Sequence, residues 1–200
     1  MLNYESVQAT ARLRSVLEAA RNCFWAQGYE QTSVRDLAEQ MGITGASLYN
    51  AFGDKRSLYR QALRHYLAQT VRERVARLQQ LPPVAAVSTF FDEIIERSVT
   101  DGQRRGCMLV NAALELAPYD AEFQKLVAEE MIFIEAFFRR CVEAGQKDGS
   151  ISDTRPAAEL AKVLLSVLLG IRVLARTRPQ RDVLEGAANG IIELFKRPIP

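Results

Sequence analysis

The chain has one histidine and one tryptophan in 200 residues, and only three cysteines. The histidine, His65, has no acidic or thiol companion at ligand spacing along its own stretch, which argues against a metal centre or an acid–base site built on imidazole. Cys23, Cys107 and Cys141 are odd in number and unpaired in spacing, which excludes a disulfide framework and a structural zinc cluster. A phosphate-cradling glycine loop and a nucleophile elbow are also missing, so no catalytic residue, metal or cofactor is expected. The longest apolar run, VLLSVLLGIRVLA at 163–175, is shorter than the roughly 20 residues that span a bilayer, and it contains Arg172. It is expected to be a buried helix and not a membrane anchor. Because the opening segment carries Arg12, Arg14, Glu18 and Arg21, it reads as an amphipathic helix and not as a signal peptide, so the expected location is cytoplasmic.

No convincing run of strand alternation is present, and apolar residues recur at helical spacing almost throughout. The expectation is an all-α protein in two parts, 1–54 and 55–200, with 48% hydrophobic and 25% charged residues to build them. Charge divides unevenly: residues 1–80 hold 11 Lys or Arg against 7 Asp or Glu, and the remainder 15 against 17. The basic end is the one suited to a polyanion. Helices are predicted from about Ser6 to Gln27, Lys55 to Leu81, Val84 to Thr100 and Cys107 to Leu116. Asp120 is predicted to open one reaching Lys147, and Asp153 or Thr154 to cap a last pair, Ala157 to Thr177 and Arg181 to Lys196. The loop DGQRRG, 101–106, is expected to be exposed.

Residues 32–63, TSVRDLAEQMGITGASLYNAFGDKRSLYRQAL, carry the most information. Ser33 can cap a short helix with Asp36 in its first turn, and Val34, Leu37, Ala38 and Met41 share a face. Gly42 can end that helix in a left-handed conformation, and Thr44 can cap a second one, Gly45 to Phe52. Two helices joined by so short a turn form a helix-turn-helix, whose second helix lies in the DNA major groove. Ile43, Leu48 and Phe52 have inward spacing, leaving Gly45, Ala46, Tyr49 and Asn50 outward. There the Ala46 methyl can meet a thymine methyl, Ser47 can donate or accept, Asn50 can pair with adenine, and the Tyr49 hydroxyl can reach a phosphate. Asp54 is placed to cap the next helix, and Lys55 in its first turn makes a phosphate-binding corner.

Residues 12–66 resemble the N-terminal domain of TetR-family transcriptional repressors. The resemblance lies in Ala20, Phe24, Gly28, Tyr29, Thr32-Ser33-Val34, Ile43, Leu48-Tyr49, Phe52, Lys55 and Leu58. It departs at Asn50-Ala51, where the family often has an aromatic or His pair, so operator sequence is not implied. GCMLVNAALE, 106–115, also resembles a stretch seen in many members. The resemblance implies a homodimer on a two-fold double-stranded DNA operator, formed through the last two helices, and a small-molecule inducer held among the middle helices. Two apolar faces suit dimerisation: Leu160, Val163, Leu164, Val167, Leu168, Ile171 and Leu174 on one helix, and Leu184, Ala188, Ile191, Ile192 and Phe195 on the other. The expected inducer is mainly apolar with one polar or anionic group, walled by Phe90, Met108, Phe133 and Phe137. Asn111, Glu115 or Arg172 would orient it, with Glu115 pairing Arg172 when the site is empty. Two alternatives stay open: a DNA-binding dimer without a ligand, and a redox or electrophile sensor at Cys107, whose position at a helix start beside Arg104 and Arg105 favours a thiolate.

Overall fold

The computed structural model describes the backbone of residues 4–195 and the side chains of residues 11–194; the expected helix end at Lys196 and the Phe195 side chain lie outside them. The head consists of α1 (Tyr4–Gln27), α2 (Val34–Met41) and α3 (Gly45–Phe52). Then come α4 (Lys55–Leu67), a π-helical turn (Ala68–Arg72) and α5 (Glu73–Leu78). The body continues with α6 (Pro83–Thr100), α7 (Met108–Glu115), α8 (Ala121–Asp148), α9 (Ala157–Thr177) and α10 (Arg181–Phe195). Regular structure among the described residues is thus all-α, and none of these helices is long and apolar enough to cross a membrane.

The head closes on α4 through aromatic side chains. Phe24 meets Tyr59 edge-on with ring centres 4.9 Å apart, and Tyr59 meets Phe123 of α8 at 5.6 Å. Leu58, Ala62 and Leu63 lie in the same apolar cluster, fully buried. In the body, Phe90 and Phe91 of α6 pack on Phe137 and Phe138 of α8, with Phe91 and Phe138 stacked at 5.8 Å. α9 and α10 cover this core with Leu160, Leu164, Leu168, Ile171, Leu184, Ala188 and Ile192.

The helix predicted to run unbroken from Lys55 to Leu81 is interrupted and shorter. The Glu73 amide bonds the Ala68 carbonyl, five residues back, which widens the turn. Side chains fix this widening. The Thr70 hydroxyl donates to the Tyr66 carbonyl at 2.7 Å, and the buried Arg74 guanidinium draws the Thr70 carbonyl to it at 2.9 Å. Hydroxyl back-bonding of this kind bends helices, and π-turns gather at functional sites. The cap expected at Asp153 or Thr154 is absent as well: α9 opens after Pro156, whose fixed φ suits a helix start, with no side-chain cap.

Candidate nucleic-acid interface and ligand cavities

The α2–α3 unit is defined by its caps. Ser33 Oγ accepts the Asp36 amide at 3.1 Å while the Asp36 carboxylate accepts the Ser33 amide at 2.9 Å, a reciprocal capping box. The Ser33 hydroxyl, donating to the Asp36 carboxylate at 2.6 Å, and then the Ser33 amide hold that carboxyl below its ordinary range. Gly42 ends α2 at φ 64, and Thr44 Oγ1 accepts the Ser47 amide at 3.1 Å to start α3. Leu48 and Phe52 turn into the core with Leu37 and Met41, so the opposite face is presented outward. On it Ala46, Ser47, Tyr49 and Asn50 are exposed, Tyr49 by half its surface, and Gly45 is half-buried. Asp54 caps α4 by accepting the Ser57 amide at 2.6 Å. Lys55 stands beside this cap with its ammonium 4.3 Å from the centre of the Tyr29 ring and 3.4 Å from the Glu30 carbonyl. Lys55 is thus held, half-buried, against the turn after α1.

Among the polar contacts to the body helices, two stand out, one made by α4 and one by the turn after α1. Arg56 donates to Asp120 at 2.6 and 2.9 Å and to Glu122 at 2.7 Å, and Arg60 also bonds Glu122. Arg56 holds the Asp120 carboxyl down to about 2. The second pin is Glu115, whose Oε2 accepts the Tyr29 amide at 2.8 Å.

That second pin corrects an expectation. Glu115 faces the turn after α1 and makes no pair with Arg172, because the C-terminal end of α7 abuts the head. Asn111 is likewise spoken for: it donates to the Arg105 carbonyl at 3.2 Å and accepts from Arg176 at 3.0 Å, tying α7 to the preceding loop and to α9. Nor do the expected pocket walls converge. Phe90 and Arg172 border a small space of about 20 Å³, shared with Thr70, Arg74 and Cys107. This is enough for roughly one water. Phe137 packs on Phe90 at 5.5 Å and borders a separate surface hollow near Leu81 and Arg140. Phe133 lies under the Arg72 guanidinium at 4.6 Å, and Met108 is buried in the core without bordering that space. Phe90, Phe137 and Phe138 pack on one another here with ring centres 5.1–5.5 Å apart.

Cys107 precedes α7 as anticipated but is enclosed, 7% exposed, with the Tyr66 hydroxyl 3.7 Å from its sulfur. Arg105, one of the two cations expected to favour its thiolate, is engaged by Asp101 at 3.1 Å. His65 has a neighbour that spacing along the chain could not reveal, Glu18 of α1 at 3.8 Å. Among the described residues no cluster of candidate metal ligands exists.

A larger cleft of about 420 Å³ opens between the head and the body. Its lining combines Trp25 of α1, Tyr66 of α4, Arg97 and Ser98 of α6, Asp101 and Arg105 of the following loop, and Arg172 of α9. Sequence reading missed this site, although the two arginines of DGQRRG, 101–106, were the signal that could have marked it.

Residues 16–62 match the family described as bacterial regulatory proteins, tetR family, and residues 83–191 match the tetracyclin repressor-like C-terminal domain. The chain belongs to the TetR family. That family consists of transcription regulators and not of enzymes. Among curated relatives, the uncharacterized HTH-type transcriptional regulator YezE of Bacillus subtilis is 29% identical over 175 residues, 85% of this chain and 89% of its own. The HTH-type transcriptional repressor ComR of Escherichia coli is 24% identical over 183 residues, 90% and 87% of the two chains. Among solved structures, a cysteine mutant of the TetR family regulator CifR, complexed with 26-bp double-strand operator DNA, superposes with a TM-score of 0.80 at 33% identity. It covers 90% of this chain and 95% of that one. The matches to both domains confirm the TetR-type helix-turn-helix head followed by a TetR-type body.

Proposed function

We propose that this TetR-family protein is a homodimeric repressor that binds a two-fold DNA operator and is released by a small molecule. The observation that carries the reading is the outward face of α3, where Ala46, Ser47, Tyr49 and Asn50 stand exposed on a helix capped at Thr44 and anchored by Leu48 and Phe52. Such a face suits base edges, with Asn50 for adenine and Ala46 for a thymine methyl. Ser33, Thr44, Gly45, Ser47, Tyr49 and Lys55 flank it with hydroxyls, amides and one ammonium for the phosphates. Operator binding by the CifR neighbour supports the same assignment.

Dimerisation through α9 and α10 is supported by apolar surface left uncovered on both. Val163 and Val173 are 42% and 47% exposed on α9, and Leu194 is 81% exposed on α10. Half-buried Val167, Leu174, Ala187 and Ile191 continue the two stripes. Gly170, Gly186 and Gly190 leave open space beside them, so partner helices could approach closely. An isologous four-helix contact buries such surface and sets two recognition helices roughly 34–36 Å apart, one turn of duplex. Release is a linkage effect: a ligand that prefers the conformation with misplaced heads lowers operator affinity by its differential affinity for the two states.

The test is selection of bound duplexes from a random-sequence library, which is expected to yield an inverted repeat. On the selected operator Asn50→Ala should lose about 1–3 kcal/mol only at its own base pair. Lys55→Ala should weaken all sequences alike and flatten the salt slope by about one unit. Failure to enrich any repeat, or identical behaviour of both variants on operator and random DNA, would refute the reading.

A further inference from the structure

Arg172 is 7% exposed, yet no carbonyl or carboxylate among the described residues accepts a hydrogen bond from it. Its nitrogens are not sealed in but open onto the cleft that it lines, where an anion from outside the chain can reach them. A second group nearby also lacks a partner. The Trp25 indole N–H is buried and lacks an acceptor, and Trp25 lines the same 420 Å³ cleft as Arg172.

The charges around the cleft do not cancel. Asp101 is its carboxylate, and it is taken up by Arg105 at 3.1 Å and by the Arg105 amide at 2.8 Å. Arg97, on the rim, has no ion pair, because the acids nearest along its helix are already engaged. Glu93 holds Arg74 and Arg77, and Glu96 holds Arg181. Two guanidinium groups therefore converge on the cleft without a counter-charge, while Trp25, Tyr66 and Ala175 supply an apolar wall. A volume of 420 Å³ lies within the ordinary range of small-molecule sites, unlike the 20 Å³ space beside Phe90.

We propose that this cleft is the effector site and that it takes a small organic oxyanion, a carboxylate or a phosphate, clasped by Arg172 and Arg97 with its remainder against Trp25. The inference rests on the regulator reading above and deepens it by naming the ligand class and moving the site away from the phenylalanine core. Guanidinium groups match such oxyanions through two parallel N–H donors. The cleft also explains how binding would reach the DNA. Trp25 belongs to α1 of the head, whereas Arg97, Arg105 and Arg172 belong to the body, and the Arg105 guanidinium already lies 4.2 Å from the Trp25 ring centre. An occupant bonded to both sides changes the seating of α1, and with it the aim of α3.

Trp25 is the protein's single tryptophan, so its emission reads the cleft directly. The full-length protein is titrated at constant ionic strength with benzoate, with inorganic phosphate and with neutral benzamide. Benzoate or phosphate should produce a saturable change that benzamide does not, and the anion that succeeds tells carboxylate from phosphate. Arg172→Gln and Arg97→Gln should each weaken that binding at least about tenfold; Arg97 is exposed, so its variant keeps the test valid if Arg172→Gln fails to fold. On selected operator DNA, the same anion should weaken wild-type affinity by about fivefold or more and leave the variants unaffected. Benzamide acting as well as benzoate, no saturable response to either anion, or full binding by Arg97→Gln would overturn the proposal. A protein that binds its operator but ignores the anions defeats this inference alone, whereas one that selects no operator defeats the regulator reading.

Discussion

Glu115→Ala tests the pin between head and body most directly. Glu115 Oε2 accepts the Tyr29 amide at 2.8 Å, and a Cβ added to Gly28 would stand 3.1 Å from its Oε1. Hydrogen bonds to charged groups contribute about 1.5–3 kcal/mol, and because Glu115 is half-buried its loss should cost near the low end, about 1–2 kcal/mol. Gly28 has φ +86, so Gly28→Ala carries a left-handed penalty of about 1–2 kcal/mol, and it also displaces the carboxylate. Only the second part depends on Glu115. Combined in one chain, the two changes should therefore cost less than their sum, by about 0.5–1 kcal/mol, the low end of the range found for residues in contact. Urea unfolding followed by circular dichroism at 222 nm measures all four corners of the cycle, and hydrogen exchange at the Tyr29 amide should quicken with Glu115→Ala. Strict additivity, or an unchanged Tyr29 exchange rate, would refute the assignment of Glu115 as the pin.

Two further outcomes follow from the same geometry. Arg56 depresses the Asp120 carboxyl from 3.8 to about 2, so the stability it contributes is present above pH 3.8 and is lost as pH falls toward 2. Asp120→Asn keeps the cap on α8 but removes the charge, and should flatten the melting-temperature profile across that window; an unchanged profile would count against the Arg56 pair. Val167→Glu combined with Ile191→Glu should split the dimer and abolish binding to a two-fold operator together, read by sedimentation velocity and footprinting. A wild-type monomer at micromolar concentration that still protects a full two-fold site would contradict the interface.

What was legible in the sequence was local. Ser33, Gly42, Thr44 and Asp54 each act within three or four residues of themselves, and all four are found in the roles that their spacing implies. The inward and outward faces of α3 follow from the same short periodicity. The π-turn is local too, but it depends on Arg74 being buried against Thr70 and Glu93, a tertiary circumstance that the 3.6-residue pattern does not carry.

The body was harder to read, because its chemistry joins residues far apart in the chain. Glu115 finds the Tyr29 amide 86 positions away, and Asn111 finds Arg176 at a separation of 65. A phenylalanine at helical spacing looks the same whether it walls a cavity or fills one. Phe90, Phe91, Phe137 and Phe138 pack on one another with ring centres 5.1–6.4 Å apart, and Phe90 also borders the 20 Å³ space. Arg172 was recognised as a cation within an apolar run, but Glu115, the acid expected to pair with it, accepts the Tyr29 amide instead. Volume and vacancy are properties of packing between elements. They became readable only where α1, α6, α9 and the loop 101–106 meet, and there Arg97 and Arg172, without an ion pair among the described residues, line a cleft of about 420 Å³ together with the unpartnered Trp25 indole.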